Sequence, residues 1–224
     1  MKPLLQFENV SLSFRKRSLL TPFSFTLYEG EKIGIVGPSG AGKSQLLQGI
    51  LGFAKAQVEG QIWYKGKDLT QEPRNRLENI RGAEIGLILQ NPFAQFTPTR
   101  KEGEQIFEVA SRQYREERLA AQETTTLLVE LEVEDPERLL DSFPHELSGG
   151  MLQKALIVMF VLLRPSLLLS DEPTTALDPL SIQSLLKAFA KRPNIAHILV
   201  THNQRVADTF CDKIFFIKEG VLCS

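Results

Sequence analysis

The 224 residues carry 26 basic and 27 acidic side chains and are 42% hydrophobic, the balance of a soluble globular chain long enough to bury a substantial core. A formal net charge of minus one gives no electrostatic basis for gripping nucleic acid, and the length suits one domain, with or without an appended subdomain, better than two unrelated ones. Cys211 and Cys223 make neither a disulfide framework nor a zinc quartet, so a reducing compartment is expected.

The opening MKPLLQFENVSLSF interrupts its apolar residues with Gln, Glu, Asn and Ser, unlike a secretory leader. QFENVSLSF, SFTLY and EKIGIV read as short β segments, with Glu29 and Gly30 in a turn. A glycine-rich loop from Gly37 then runs into GKSQLLQGIL, where Leu46, Leu47, Ile50 and Leu51 fall on one helical face. QIWYKG after Gly60 and EIGLILQ from Glu84 to Gln90 read as further strands. From about Asn91 to Arg164 the period becomes helical: EQIFEVASRQYREERLAAQ and TTTLLVELEV carry apolar residues at helical spacing with charged opposite faces, and RQYREER reads as a solvated helix face. Beyond Pro165, LLLS, HILVT and KIFFIKEG read as strands, the last one closing the chain, with PLSIQSLLKAFAK and NQRVADTFC as helices between them.

Strands separated by helices imply an α/β fold with a mainly parallel sheet covered on both faces, beside an antiparallel β portion near the N-terminus. The longest apolar run, Ala155 to Leu163, is nine residues, where a spanning helix needs about 20. The chain is not expected to cross a membrane by itself.

The segment GPSGAGKS, comprising Gly37, Pro38, Ser39, Gly40, Ala41, Gly42, Lys43 and Ser44, follows an apolar strand and opens a helix. This is the pattern and context of a phosphate-binding P-loop. Glycines let successive backbone N–H groups close around phosphate oxygens, and the helix N-terminus adds positive potential. Lys43 is placed to contact the terminal phosphates, and the Ser44 hydroxyl to hold magnesium. Such a loop needs an acidic partner on a neighbouring strand, and LLLSDE, Leu167 to Glu172, ends an apolar strand in two carboxylates. Asp171 is assigned to magnesium. Side chains alternate along a strand, so Glu172 faces differently and can act on the attacking water as general base.

LSGGMLQKA, Leu147 to Ala155, lies 23 residues before Asp171 counted from Ser148, and SDEPTTALDP follows it. Together with VTHN and LILQNP, these stretches resemble the ATP-binding-cassette (ABC) ATPases over nearly the whole chain. The resemblance implies ATP and Mg2+ as ligands and a P-loop NTPase core with an inserted helical subdomain over about 91–164 of a single domain, 1–224. It implies His202 as the switch histidine, Gln90 as the glutamine-loop residue facing nucleotide and magnesium, Asp178 in the loop after the acidic strand, and Phe14 stacked on adenine. Ser148, Gly149 and Gly150 begin a helix of about 16 residues, where a hydroxyl and backbone N–H groups make an anion site. In the family that site meets the γ-phosphate held by a second subunit, in a head-to-tail pair of like or unlike cassettes.

QNPFAQFTP, FPHELSGGM and SDEPTTALD most resemble the branch importing oligopeptides, dipeptides and nickel or nickel chelates. That resemblance implies integral membrane permease subunits as partners, an extracytoplasmic binding protein indirectly, and a peripheral position on the cytoplasmic face of the inner membrane. The branch usually carries a further C-terminal extension, whereas this sequence stops at Ser224. It also departs at Lys154, where many members have Arg, and at Met151, where Gln is usual. Two other readings stand beside the importer ATPase: a regulatory subunit that binds nucleotide with weak turnover, and a soluble non-transport ABC protein. His145 and His197 read as structural or solvated, and Arg15, Lys16 and Arg17 as a basic turn between strands.

Overall fold

In the computed structural model, which describes residues 2–224, the first strand, β1 (Pro3–Phe14), buries Leu5, Phe7, Val10 and Leu12, as its alternating pattern requires. The alternation breaks at Glu8–Asn9, where the pairing shifts register and Asn9 takes a φ of 50°. Opposite it in β4 (Gln57–Tyr64) stands Gly60, φ 90°; a Cβ there would lie 2.4 Å from the Asn9 carbonyl oxygen, so glycine is needed. With β2 (Arg17–Tyr28) and β5 (Lys67–Asp68), these strands form an antiparallel sheet in the order β2-β1-β4-β5. Phe7 packs on Phe25 with ring centroids 4.4 Å apart, and each such buried apolar side chain contributes about 1.5–3 kcal/mol.

A second sheet has the order β10-β9-β3-β8-β7-β6, formed by β3 (Lys32–Val36), β6 (Ile85–Ile88), β7 (Leu167–Asp171), β8 (Ala196–Thr201), β9 (Lys213–Lys218) and β10 (Val221–Cys223). Strands β9, β3, β8 and β7 run parallel. KIGIV, LLLSD and AHILVT are near-continuous apolar runs because both faces of this sheet are covered; β7 and β8 are buried at every position. The chain does not close on KIFFIKEG: β10 turns back antiparallel onto β9.

Two compact units divide the chain. The first holds the residues up to Leu87, Ser166–Glu172 and Pro193–Ser224; the second holds Ile88–Pro165 and Pro173–Arg192. The first contains both sheets' main parts with α1 (Lys43–Ile50), α2 (Arg74–Ile80) and α8 (Gln204–Phe210). Seven-residue α2, with Leu77 as its one buried side chain, is too polar to announce itself by periodicity. The second unit contains α3 (Glu102–Ala110), α4 (Glu117–Glu130), α5 (Pro136–Asp141), α6 (Gly149–Leu162) and α7 (Pro179–Ala190).

Helix boundaries here differ from the periodic reading. EQIFEVASRQYREERLAAQ is not continuous: α3 stops at Ala110, and Arg112–Glu116 form turn and bend, so RQYREER is largely a loop. The sequence from Glu117 to Glu130 is instead one helix, joining LAAQ to the threonine run and the apolar residues after it. Thr124, Thr125 and Thr126 donate their hydroxyls to the carbonyls of Ala120, Ala121 and Gln122, four residues back, which satisfies them within the helix. α6 has 14 residues rather than about 16.

Glu102, at the first position of α3, is wholly buried with neither carboxylate oxygen hydrogen-bonded. Burial pushes its carboxyl from 4.5 up to about 8, so it holds its proton at neutral pH. The folded state therefore binds one more proton than the unfolded chain across that interval. Stability is fully present below the unfolded value and falls as pH rises towards 8. The melting temperature is expected to drop by several degrees between about pH 6 and about pH 9. Glu102→Gln, which keeps the shape without the ionisation, is expected to flatten that slope in melts followed by circular dichroism. Equal slopes in the two proteins would assign the effect to another group.

Candidate functional site

Asp171 pairs with Val200, and Val36 with Thr201, so three adjacent parallel strands end together at their carboxyl edge. That edge is where open α/β sheets present ligand-binding groups. The P-loop leaves β3 at Gly37, and Gly42, with φ 91°, turns it into α1. At this position the left-handed backbone requires glycine, and a Cβ would press on Leu19 at 3.2 Å. Lys43 is buried, and its ammonium donates to the carbonyls of Gly37 at 2.8 Å and Pro38 at 3.0 Å. The lysine is thus folded over its own loop, with Glu172 Oε1 at 3.9 Å as counter-charge.

The two carboxylates diverge for a reason sharper than strand alternation. β7 ends at Asp171, and Glu172 adopts a left-handed φ of 51°. This rare conformation for a non-glycine residue is held by the Glu172 N–H donating to the Val200 carbonyl at 2.9 Å. The Glu172 carboxylate accepts from the Thr201 hydroxyl at 3.1 Å, and the same Oε2 lies 2.9 Å from His202 Nδ1. Thr201 is a positioning group that motif reading passed over; its signal was its place beside the histidine in VTHN.

Asp171 is 4% exposed, and its Oδ1 has no hydrogen-bond partner. Burial raises its carboxyl above the ordinary range and the neighbouring Glu172 charge adds to this, while a hydrogen bond from the Ser44 hydroxyl and the charge of Lys43 oppose it. A buried orphan carboxylate oxygen beside a hydroxyl is an oxygen-only donor pair, which fits magnesium drawing its other ligands from water and phosphate.

A groove of about 330 Å³ adjoins the P-loop, lined among others by Arg17, Ser18, Ser39, Gly40 and Glu219. Glu219 and Gly220 form the β9–β10 turn, and Thr21 bolts that turn to β2 by donating its backbone N–H to the Gly220 carbonyl at 2.8 Å. Neither wall was legible as part of a site. Arg15 and Lys16 do lie in the turn between strands, whereas Arg17 opens β2. Phe14 is exposed at the end of β1, with the Arg15 guanidinium 5.3 Å from its ring centroid, and it is not among the residues lining this groove.

In the second unit, Ser148 caps α6, its hydroxyl oxygen accepting from the Met151 N–H at 3.3 Å. Asp178 caps α7 in the same manner. It accepts from the Ser181 hydroxyl at 2.6 Å and from the N–H groups of Ser181 and Leu180 at 3.0 Å, and these bonds, the hydroxyl's foremost, hold its carboxyl at about 2. Both caps border one groove of about 520 Å³, which Gly150, Met151 and Lys154 also line. A Cβ on Gly150 would come within 3.0 Å of the Ala176 carbonyl oxygen. Gln90 is exposed in the segment between β6 and the short 3₁₀ turn Pro92–Gln95, where the Gln95 side chain fixes the Leu89 N–H at 2.7 Å. His197 is buried as a structural residue should be, edge-on to Phe210, and burial lowers its imidazole to about 3.

Residues 20–175 match the family described as ABC transporter. The oligopeptide transport ATP-binding protein OppD of Haemophilus influenzae is 35% identical, the alignment covering 98% of this chain and 71% of the relative. The metal-staphylopine import system ATP-binding protein CntD of Staphylococcus aureus is 34% identical over 91% of this chain and 78% of its own length. The fold superposes with a TM-score of 0.82 on the dimeric structure of a post-hydrolysis state of an ATP-binding cassette bound to ADP and Pi, at 26% identity, covering 98% of this chain and 96% of that one. With the P-loop, the paired acids and the serine-capped signature helix all in place, the chain belongs to the ABC transporter family, as one of its ATP-binding cassettes.

Proposed function

We propose that this chain is the ATP-hydrolysing subunit of an importer, coupling Mg-ATP hydrolysis to passage of peptides or metal chelates, nickel among them, through separate membrane permease subunits. The reading rests most on one arrangement: a buried ammonium within 3.9 Å of the Glu172 carboxylate, beside an Asp171 oxygen left without a partner. Both groups are poised for a ligand the chain does not itself supply. The names of the oligopeptide and metal-staphylopine relatives support the transport role and its substrate classes.

The residues divide the work as follows. Backbone N–H groups of Gly40 to Ser44 and the N-terminus of α1 receive the phosphates, and Lys43 exchanges its two carbonyl acceptors for the β- and γ-phosphate oxygens. Asp171 and Ser44 would hold the magnesium, whose charge would neutralise the phosphate oxygens. Glu172, oriented by Thr201 and His202, takes a proton from the attacking water as that water's oxygen bonds the γ-phosphorus and the bond to the β-phosphate oxygen breaks, giving ADP and phosphate. Phe14 stacks on the adenine. Ser148, Gly149 and Gly150 meet the γ-phosphate held by a second cassette, with Asp178 at the same junction. Hydrolysis releases that shared grip, and the opening motion passes to the permeases through the helical subdomain, about 91–164, and Gln90. The chain is then peripheral on the cytoplasmic face of the inner membrane, and an extracytoplasmic binding protein delivers cargo to its permeases.

Phosphate release by the purified chain, and by its complex with permeases in lipid vesicles, tests this reading. Turnover that requires magnesium and rises in the complex is expected. A chain that binds ATP yet shows no turnover in either setting would be a regulatory subunit instead, and the hydrolytic reading would be lost.

A further inference from the structure

The lysine that replaces arginine near the signature has a defined partner in the second unit. α4 closes on a Schellman-type turn in which the Val133 N–H donates to the Leu128 carbonyl at 3.0 Å and the Glu132 N–H to the Val129 carbonyl at 2.9 Å. Glycine is the residue suited to the left-handed position of such a turn, yet Glu132 occupies it with φ 53°. Its carbonyl accepts a hydrogen bond from Lys154 Nζ at 3.0 Å. A cation placed on the last carbonyls of a helix is electrostatically favourable, and a strained residue persists only where its surroundings hold it.

Lys154 lies in the second turn of α6, the helix that Ser148 caps. Glu132, Val133, Glu134 and Asp135 line the 520 Å³ groove together with Ser148, Gly150 and Met151. The bond therefore ties the signature helix to the loop after α4, and both line the same groove. Lys154 makes no ion pair with the acids of that loop among the described residues, so the carbonyl is its one strong partner. The contact asks for a cationic donor rather than one particular head group, since a carbonyl also takes an arginine, as the Leu51 carbonyl does in accepting from both Nε and Nη2 of Arg81.

We propose that Lys154 is a positioning residue, which by holding the Glu132 carbonyl sets the groove's width and the pose of Ser148–Gly150 towards a nucleotide carried by a second subunit. This rests on the proposed function, in that the signature acts on a phosphate. It assigns the arginine-to-lysine departure to geometry rather than to lost contact with the nucleotide.

The test compares the full chain with its Lys154→Met and Lys154→Arg variants in three measurements: Mg-ATP turnover against concentration, nucleotide affinity in the Glu172→Gln background, and hydrogen exchange at the Val133 amide. In Lys154→Met, kcat is expected to fall at least about fivefold with affinity unchanged within about twofold, and Val133 exchange to quicken about tenfold. Lys154→Arg should return all three to within about twofold of the parent. Parental kcat or parental Val133 exchange in Lys154→Met overturns the proposal, as does failure of Lys154→Arg to rescue. A fall in affinity or melting temperature that tracks the fall in kcat overturns it too, because it would signal general destabilisation. A parent that binds no Mg-ATP removes the functional reading first, before any Lys154 variant is made, and this role with it.

Discussion

Glu172→Gln is expected to slow ATP turnover by roughly a hundredfold or more, the scale of a lost general base, while ATP binding is retained. The amide keeps the volume of the carboxylate and an oxygen able to accept from the Thr201 hydroxyl, so the local shape survives. What disappears is proton affinity at the one position aimed by Thr201 and His202, and the counter-charge 3.9 Å from Lys43. Losing that counter-charge leaves the ammonium less neutralised and more available to phosphate, so affinity for Mg-ATP should hold or rise. Steady-state phosphate release paired with titration by a fluorescent nucleotide separates the two quantities. Parental turnover in the variant would reject Glu172 as the base.

The second large effect is expected at Lys43. Truncation to Ala removes a buried ammonium from a site built to receive anionic oxygens, and removing one partner of a buried, hydrogen-bonded charge pair costs about 2–5 kcal/mol. That corresponds to a loss of nucleotide affinity of at least roughly 30-fold, read by calorimetric titration with Mg-ATP. The same change releases the Gly37 and Pro38 carbonyls and leaves Glu172 and Asp171 adjacent without the buried ammonium, so the apo chain should melt lower as well. Affinity equal to the parent's would mean that phosphate is not held where the P-loop places it.

These two effects differ in kind, which is their diagnostic value. Lys43→Ala is expected to abolish capture and Glu172→Gln to preserve capture while stopping the chemistry. A chain in which both changes merely lowered stability in parallel would show losses in melting temperature that predict the losses in activity.

What could be read from the chain divides along a physical line. The P-loop, the two acids, the signature and VTHN are contiguous motifs whose chemistry follows from residues a few positions apart: glycines for positive φ, a serine for a helix cap, apolar runs for buried parallel strands. Those features follow from the order of residues alone, and they fixed the fold class and the candidate nucleotide site. Helix limits were harder, because charged and apolar residues at helical spacing look alike whether or not the helix continues. Arg112–Glu116 break it, and Thr124–Thr126 do not, since hydroxyls bonding back along a helix leave no mark in the pattern.

Only the tertiary structure decided which distant residues share a wall. Arg17 and Glu219 come to one groove because β2 and the β9–β10 turn are joined by Thr21 and Gly220. Glu172 turns away from Asp171 through a left-handed backbone held by Val200, and Lys154 meets a carbonyl, a group every residue possesses and no motif can signal. Glu102 is buried without a partner in a stretch whose letters are polar. Local chemistry is written in neighbouring side chains, whereas burial and backbone contacts arise from the packing of segments far apart, so the sequence by itself determined the parts and folding determined how they face one another.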